Sequence, residues 1–281
     1  MTLSDSDFEF LSKYIVDNGA IVVSKDKEYL IESRLSPVCR RHGLAGISDL
    51  VQKLRLERFG PLGSDVVEAM TTNETYFFRD VKPFDGLKKE VLPELIARNA
   101  SSKTLRIWCA ASSSGQEPYS IAMVIRDSFP QLASWNVKIV CTDLSKAMVA
   151  RTSEGIYSQL EVNRGLPAPM LIKYFEKRGD QWYIKPQLKE LVTASEMNLA
   201  KPWPSLGRFD LVFMRNVLIY FDVPTKQRIF DSLAKVMTSG AYLFLGGSES
   251  TLGLRTNLIR TAGSVAHYYR APELGGLRTA V

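Results

Sequence analysis

Four stretches of this 281-residue chain place polar groups where chemistry could be done. The first, Thr71-Thr72-Asn73-Glu74-Thr75-Tyr76-Phe77-Phe78-Arg79-Asp80, sets five polar residues against three aromatics and closes on Arg-Asp. A core segment has no use for so many hydrogen-bonding groups, and a surface loop has none for Tyr-Phe-Phe. The second is Ala110-Ala111-Ser112-Ser113-Ser114-Gly115-Gln116-Glu117. Small residues there let the backbone approach a ligand, and N–H groups at a helix start favour anionic parts; the same residues also read as a plain Ser-rich turn. They do not form G-x-G-x-x-G, so dinucleotide binding is not supported. The third, Thr142-Asp143, offers a carboxylate that either accepts ribose hydroxyls or caps the following helix. The fourth, Arg215-Asn216-Val217-Leu218-Ile219-Tyr220-Phe221-Asp222, interrupts an apolar run where a central strand should leave the core. Burying Arg and Asn without partners costs on the order of 2 kcal/mol or more, so a ligand or a network is expected. Tyr220 is either a core aromatic with a satisfied hydroxyl or a group at a reacting centre.

Elements must position these groups. From Asp5 to about Met70 apolar residues keep a three-to-four beat (Phe8, Leu11, Ile15; Leu50, Leu54; Val66, Val67, Met70), which predicts about four short helices. Asp5 and Ser48 are candidate N-caps, and Gly19, Gly43, Gly60-Pro61 and Gly63 supply breaks. Beyond them, Leu105–Ala111, Val137–Ser145 and the runs opening at Phe209 and Ala241 read as buried strands. Helices are expected over Pro118–Phe129, after Ser145 and around Lys226–Met237. Strands buried on both faces and alternating with helices argue for an α/β fold with a parallel, doubly wound sheet. In such sheets ligands bind beyond the carboxyl ends of the strands, which is where the second, third and fourth stretches fall. Leu166–Leu199 breaks the rhythm, and Arg178-Gly179-Asp180 looks like a turn between short strands, so an antiparallel insertion is expected at about 166–199. Val265–Arg270 reads as a late strand pairing antiparallel at the sheet edge. The resulting division is a helical domain over 1–70, a linker over 71–85 that contributes to the site, and an α/β domain over 86–281.

Composition narrows the chemistry. Hydrophobic content of 45% with 23% charged residues describes a globular chain. The start MTLSDSDFEF has no basic region followed by an apolar run, and no apolar window reaches the ~20 residues needed to cross a bilayer. Cys39, Cys109 and Cys141 form no C-x-x-C pair and read as buried free thiols in a cytoplasmic protein. With only His42 and His267, neither a zinc site nor a histidine-based triad is expected. The net charge of +6 does not establish nucleic-acid binding. Its distribution says more: Arg34, Arg40, Arg41, Lys53, Arg55 and Arg58 face only Asp49 and Glu57 over that span. That cluster is either a solvated helical face or a docking surface for an acidic partner.

In order along the chain, TTNETYFFRD, WCAASSSGQEPYSIAM, CTDLS, FMRNVLIYFD and LFLGGSES resemble the CheR-type chemoreceptor glutamate methyltransferases. The resemblance covers almost the whole chain. N-E-T-x-F-F-R ahead of a degenerate glycine motif, with R-N-V-x-I-Y-F downstream, is far narrower than a generic nucleotide fold. It implies a class I, Rossmann-like methyltransferase domain after an all-α domain, S-adenosylmethionine as methyl donor (S-adenosylhomocysteine as product), and receptor glutamates as acceptors. The family's cofactor contacts match Asn73, Thr75, Arg79, Glu117, Asp143, Asn198, Leu199, Arg215 and Asn216, and its positions near the transferred methyl match Arg79 and Tyr220. It also implies that the basic stretch from Arg34 to Arg58 docks on the methylation helices of chemoreceptors, with no nucleic acid, no membrane insertion and nothing that demands more than a monomer. The aromatics of the opening stretch would then pack between the two domains. Some members bind a receptor tail peptide as an added strand beside a long glycine-rich turn. Tyr174–Tyr183 holds one glycine and is short, so independence from that peptide is expected.

The chemistry works without a base. A glutamate with a pKa near ~4.3 is already ionised at neutral pH, and attack on a sulfonium brings opposite charges together and disperses them, so geometry and exclusion of water matter most. Two other readings stand beside this one. The first is a methyltransferase for another substrate, although the Asn/Asp-Pro-Pro-aromatic pattern of base modification is absent. The second is a non-catalytic module that senses the cofactor.

Overall fold

The apolar three-to-four beat of the first seventy residues winds into helices in the computed structural model, which describes residues 3–57 and 60–273. They are α1 (Asp5–Gly19), α2 (Glu28–Arg41), α3 (Ile47–Leu56) and α4 (Pro61–Ala69). Phe8, Leu11, Tyr14 and Ile15 of α1, with Leu50, Val51 and Leu54 of α3, are buried. The N-cap of α1 is Ser4, whose hydroxyl accepts from the Asp7 N–H, and not Asp5; Asp5 and Asp7 instead lie in the first turn, where carboxylates complement the exposed N–H groups. Gly46, not Ser48, precedes α3, and Gly63 lies inside α4 instead of breaking it. By packing, this unit comprises Met1–Thr72 together with Tyr220–Lys226.

The second unit, Asn73–Ile219 with Gln227–Val281, is built on one mixed sheet. Its strands are β1 (Thr104–Ala110), β2 (Asn136–Asp143), β6 (Val192–Glu196), β7 (Phe209–Met214), β8 (Met237–Leu245), β9 (Ile259–Ala262) and β10 (His267–Arg270), in the order β6-β2-β1-β7-β8-β10-β9. The first five run parallel; β10 pairs antiparallel with both β8 and β9. All six residues of β7 are buried, as a strand covered on both faces requires. α5 (Lys82–Gly86) and α6 (Leu92–Arg98) precede β1, joined by a π-type turn at Leu87–Val91. α7 (Gln116–Ser128) follows β1 and α8 (Lys146–Glu154) follows β2. Phe213 and Phe244 stack across β7 and β8 with ring centroids 4.7 Å apart, and Trp108 donates its indole N–H to Thr142 Oγ1 at 3.0 Å. Cys109 and Cys141 are register partners on β1 and β2, free and fully buried.

Three expectations shift. The small antiparallel sheet has the order β3-β5-β4, with β3 (Ile156–Ser158), β4 (Phe175–Arg178) and β5 (Gln181–Ile184), so it opens ten residues earlier than expected. Val192–Glu196, expected within the insertion, pairs parallel with β2 and belongs to the main sheet. The late strand β10 is not the edge: β9 lies outside it. Between β3 and β4 run α9 (Gln159–Asn163) and α10 (Ala168–Tyr174). The turn between those helices needs Gly165, because its φ is +82° and a Cβ there would lie 2.1 Å from the Phe77 carbonyl oxygen. No helix among the described residues is long and apolar enough to cross a membrane.

Candidate active site

The strand order reverses at β1, flanked by β2 on one side and β7 on the other, and a crevice for ligands opens at such a point beyond the carboxyl ends. The chain leaving β1 turns sharply there. Ala111, Ser113 and Gly115 all take positive φ (55°, 50° and 93°), a conformation that costs non-glycine residues of order 1–3 kcal/mol each and must be held by its surroundings. The holding contacts are specific. Thr152 Oγ1 donates to the Ser113 carbonyl (3.0 Å) and the Tyr157 hydroxyl to the Ser114 carbonyl (2.8 Å). The Asp143 carboxylate accepts from the Ser113 N–H at 2.8 Å and from the Ser145 N–H at 2.9 Å. Asp143 therefore ties the end of β2 to the turn after β1. Ser145, not Asp143, is the side-chain cap of α8, accepting from the Met148 N–H.

The Asn73–Asp80 segment is held to this crevice. Ser113 Oγ donates to the Asn73 carbonyl (2.8 Å) and the Phe78 N–H donates to Ser120 Oγ (2.9 Å). Phe77 is fully buried inside the sheet unit, edge-on to Tyr157 and Phe175. Arg79 folds back so that its guanidinium donates to the Glu74 carbonyl (2.8 Å) and lies 5.7 Å from the Tyr76 ring. Glu74 in turn pairs with Arg164 (2.6 Å), whose guanidinium covers Tyr76 at 4.4 Å. Thr75 is half-buried on the same segment.

Arg215 is the electrostatic centre. Its Nη1 donates to Glu117 Oε2 at 2.9 Å; its Nη2 donates to Asp80 Oδ2 at 2.6 Å and to the Arg79 carbonyl at 2.9 Å. Only 1% of its side chain is exposed, and its Nε is buried without a partner. The network expected from the interrupted apolar run is present, and one donor is left over. Burial pushes the Glu117 carboxyl above its ordinary range, while the Arg215 charge beside it pulls the other way.

Asn216, next in the chain, has φ +59°. Asn198 and Leu199 follow β6, whose Glu196 is the register partner of Asp143; the Met197 N–H donates to the Asp143 carbonyl (2.8 Å). Asn198 Oδ1 accepts from the Ala200 N–H, and Leu199 is buried. Thus Asn73, Thr75, Arg79, Glu117, Asp143, Asn198, Leu199, Arg215 and Asn216 all belong to the sheet unit; Asn73 and Arg79 are tied through their carbonyls to Ser113 and Arg215, and Glu117, Asp143, Asn198, Leu199, Arg215 and Asn216 follow or end the strands β1, β2, β6 and β7. Tyr220 ends a single 3-10 turn (Leu218–Tyr220), is half-buried, and groups with the helical unit. Sequence reasoning missed Asp80, which closes the Arg215 network, and Glu249, which accepts N–H groups from the turn after β7. For Asp80 the signal was there, in an acid immediately following Arg79.

The basic residues of the helical unit separate by environment. Arg34 donates to the Met70 and Thr71 carbonyls (2.7 and 3.0 Å) and to Thr72 Oγ1, so it clamps the end of α4. Arg41 lies 3.6 Å from Asp65, and Arg55 sits over the Phe10 ring. Arg40 and Lys53 make no ion pair among the described residues, and Arg58 lies outside them.

Two family descriptions match: "CheR methyltransferase, SAM binding domain" over residues 73–265, and "CheR methyltransferase, all-alpha domain" over residues 6–71. Among its relatives, chemotaxis protein methyltransferase 1 of Pseudomonas aeruginosa is 41% identical over 276 residues, 96% of this chain and 100% of that one. Chemotaxis protein methyltransferase Cher2 of Pseudomonas putida is 41% identical over 259 residues (90% and 94%). A chemotaxis protein methyltransferase of Vibrio parahaemolyticus is 39% identical over 257 residues (90% and 92%).

Proposed function

The chain belongs to the CheR methyltransferase family, and from that premise we propose that it forms methyl esters on glutamate side chains of chemoreceptor helices. It is an S-adenosylmethionine-dependent methyltransferase of chemotaxis; the acceptor group is the inference. The observation that carries it is a crevice without a histidine, whose carboxylates are already engaged by Arg215 (Glu117 and Asp80) or by backbone N–H groups (Asp143). Its titratable members are Arg215, Glu117, Asp80, Asp143 and Arg79. His42 bonds to Asp65 in the helical unit, and His267 is exposed on β10. An amine or hydroxyl acceptor needs a base to take its proton, whereas a carboxylate arrives ionised.

The residues present fit the donor. Asp143 offers carboxylate oxygens at the end of β2, where this fold meets a ribose. Glu117 and the orphaned Arg215 Nε give the buried end of the crevice polar groups still able to take a partner. When bound, the donor supplies an electrophilic methyl on a positively charged sulfur. Arg79, held by the Glu74 carbonyl, orients the acceptor carboxylate or the donor, and Tyr220 supplies a hydrogen bond. A guanidinium gripping the attacking oxygen too tightly would stabilise the ground state as well, so Arg79 acts by orientation.

Incubation with labelled donor and receptor cytoplasmic fragments tests the acceptor: the label should be released from glutamate by alkali. Alkali-stable label would overturn the ester assignment, and binding without transfer would point to a sensing module.

Receptor recognition falls to Arg40, Lys53 and Arg55. Neutralising the three together should raise the acceptor KM several-fold and flatten its salt dependence, leaving donor affinity unchanged. Arg34→Ala should instead lower the melting temperature of the helical unit. β4 and β5 are joined by the two-residue turn Gly179-Asp180, with Gly179 at φ +58°. On that short turn rests the proposal that transfer needs no tether to a receptor tail peptide; deleting the tail from the substrate should leave its KM unaltered, and a measurable affinity for the free peptide would contradict it.

A further inference from the structure

Glu249 lies in the loop Gly246-Gly247-Ser248-Glu249-Ser250 that leaves β8. Its half-buried carboxylate gathers backbone donors from two separate stretches of chain. Oε2 accepts from the N–H groups of Asn216 and Gly246, both at 2.7 Å. Oε1 accepts from Val217 (2.9 Å) and Leu218 (2.7 Å), with the Ile219 N–H at 3.4 Å. Consecutive amides that converge on one point form an anion-binding concavity, and the φ of +59° at Asn216 lets its own N–H join those that follow. The nest is filled from inside the protein. Gly246 completes the arrangement, because a Cβ there would lie 2.7 Å from Glu249 Oε2 and 2.8 Å from Asn216 Nδ2.

Glu249 makes no ion pair among the described residues; the hydrogen bonds its carboxylate accepts there come from backbone N–H groups. The carboxylate fixes every amide from 216 to 219, the stretch that begins where Arg215 leaves β7. We infer that Glu249 is a positioning residue: an internal anion that sets the turn after β7, and through it the directions in which Arg215 and Asn216 meet the methyl donor. The inference rests on the donor reading of those two residues.

Glu249→Gln keeps shape and volume but turns an NH2 group toward at least one pair of backbone N–H donors. Loss of about one charge-assisted hydrogen bond's worth of positioning predicts a donor Kd and donor KM raised about tenfold, with acceptor KM unchanged. Glu249→Ala empties the nest; added formate should restore its donor affinity, and chloride at equal ionic strength should not. If Glu249→Ala fails to fold, Glu249→Gln carries the test alone. Unchanged donor affinity in the variant, or a lower melting temperature with donor affinity intact, would assign Glu249 to folding only and overturn the inference. Donor and acceptor KM rising together would overturn it as well. Wild-type protein measured in parallel separates the two levels: failure of wild type to bind S-adenosylmethionine refutes the donor reading itself.

Discussion

Arg215→Met is expected to abolish detectable donor binding and to make the protein's stability fall more steeply as pH rises. Arg215 is buried between two carboxylates and donates to both. Removing one partner of a buried pair costs about 3–5 kcal/mol, because the other charge is left uncompensated. Asp80, with 47% of its side chain exposed, can turn to water; Glu117 cannot. Burial already raises the Glu117 carboxyl above its ordinary range, and Arg215 is the main influence opposing that rise. Without the guanidinium the carboxyl rises further. A raised folded-state value means the folded protein holds a proton that the unfolded chain releases, so the stability it confers is complete below the ordinary carboxylate range and is lost as pH climbs through the folded value. The variant should therefore have a higher urea midpoint in mild acid than in mild alkali, and Arg215→Met with Glu117→Gln should lose that slope. A pH-independent midpoint in the single variant would mean that Glu117 finds another partner.

The second large effect is at Asp143. Its carboxylate accepts from Ser113 and Ser145 N–H groups while only 6% of the residue is exposed. It thus braces the strained turn after β1, and in the proposed reading it also offers oxygen to a ribose. Hydrogen bonds to a charged group contribute about 1.5–3 kcal/mol each, so Asp143→Ala should weaken donor binding by about 100-fold or more. Asp143→Asn keeps the size but presents an NH2 to one of two backbone donors, and it should fall between. Calorimetry on folded variants decides this: normal donor affinity in Asp143→Ala would place the ribose elsewhere.

How far these sites were legible depended on how far apart in the chain their partners lie. β7 was readable because six consecutive apolar or core-facing residues leave a helix no polar face. Arg215-Asn216 was readable because it breaks that run. Val192–Glu196 was misplaced because Val-Thr-Ala-Ser-Glu is a half-exposed edge strand, and only its pairing with β2, fifty residues earlier in the chain, makes it part of the main sheet. β9 escaped for the same reason: Ile-Arg-Thr-Ala carries too little apolar signal to reveal an edge. At Ser4 and Asp5 the difficulty was local, since both residue types favour helix starts and only the Ser4 hydroxyl's bond to Asp7 settles which one caps. Arg34 looked like its basic neighbours, yet it reaches carbonyls thirty-six and thirty-seven positions away. Glu249 lies within the LFLGGSES motif yet shows no task in the sequence, because most of its partners sit on another loop and all are backbone amides, which every residue except proline possesses.

The hairpin tip at Gly179-Asp180 has a practical consequence. Residues Arg178 to Gln181 are all exposed, and a Cβ at Gly179 would meet nothing within 4 Å. Lengthening a surface loop adds only about 0.6 kcal/mol per doubling, and exposed tips tolerate insertions best. A fluorescent tag or foreign recognition sequence spliced in there would ride on the enzyme without disturbing the crevice, turning it into a reporter of its own whereabouts.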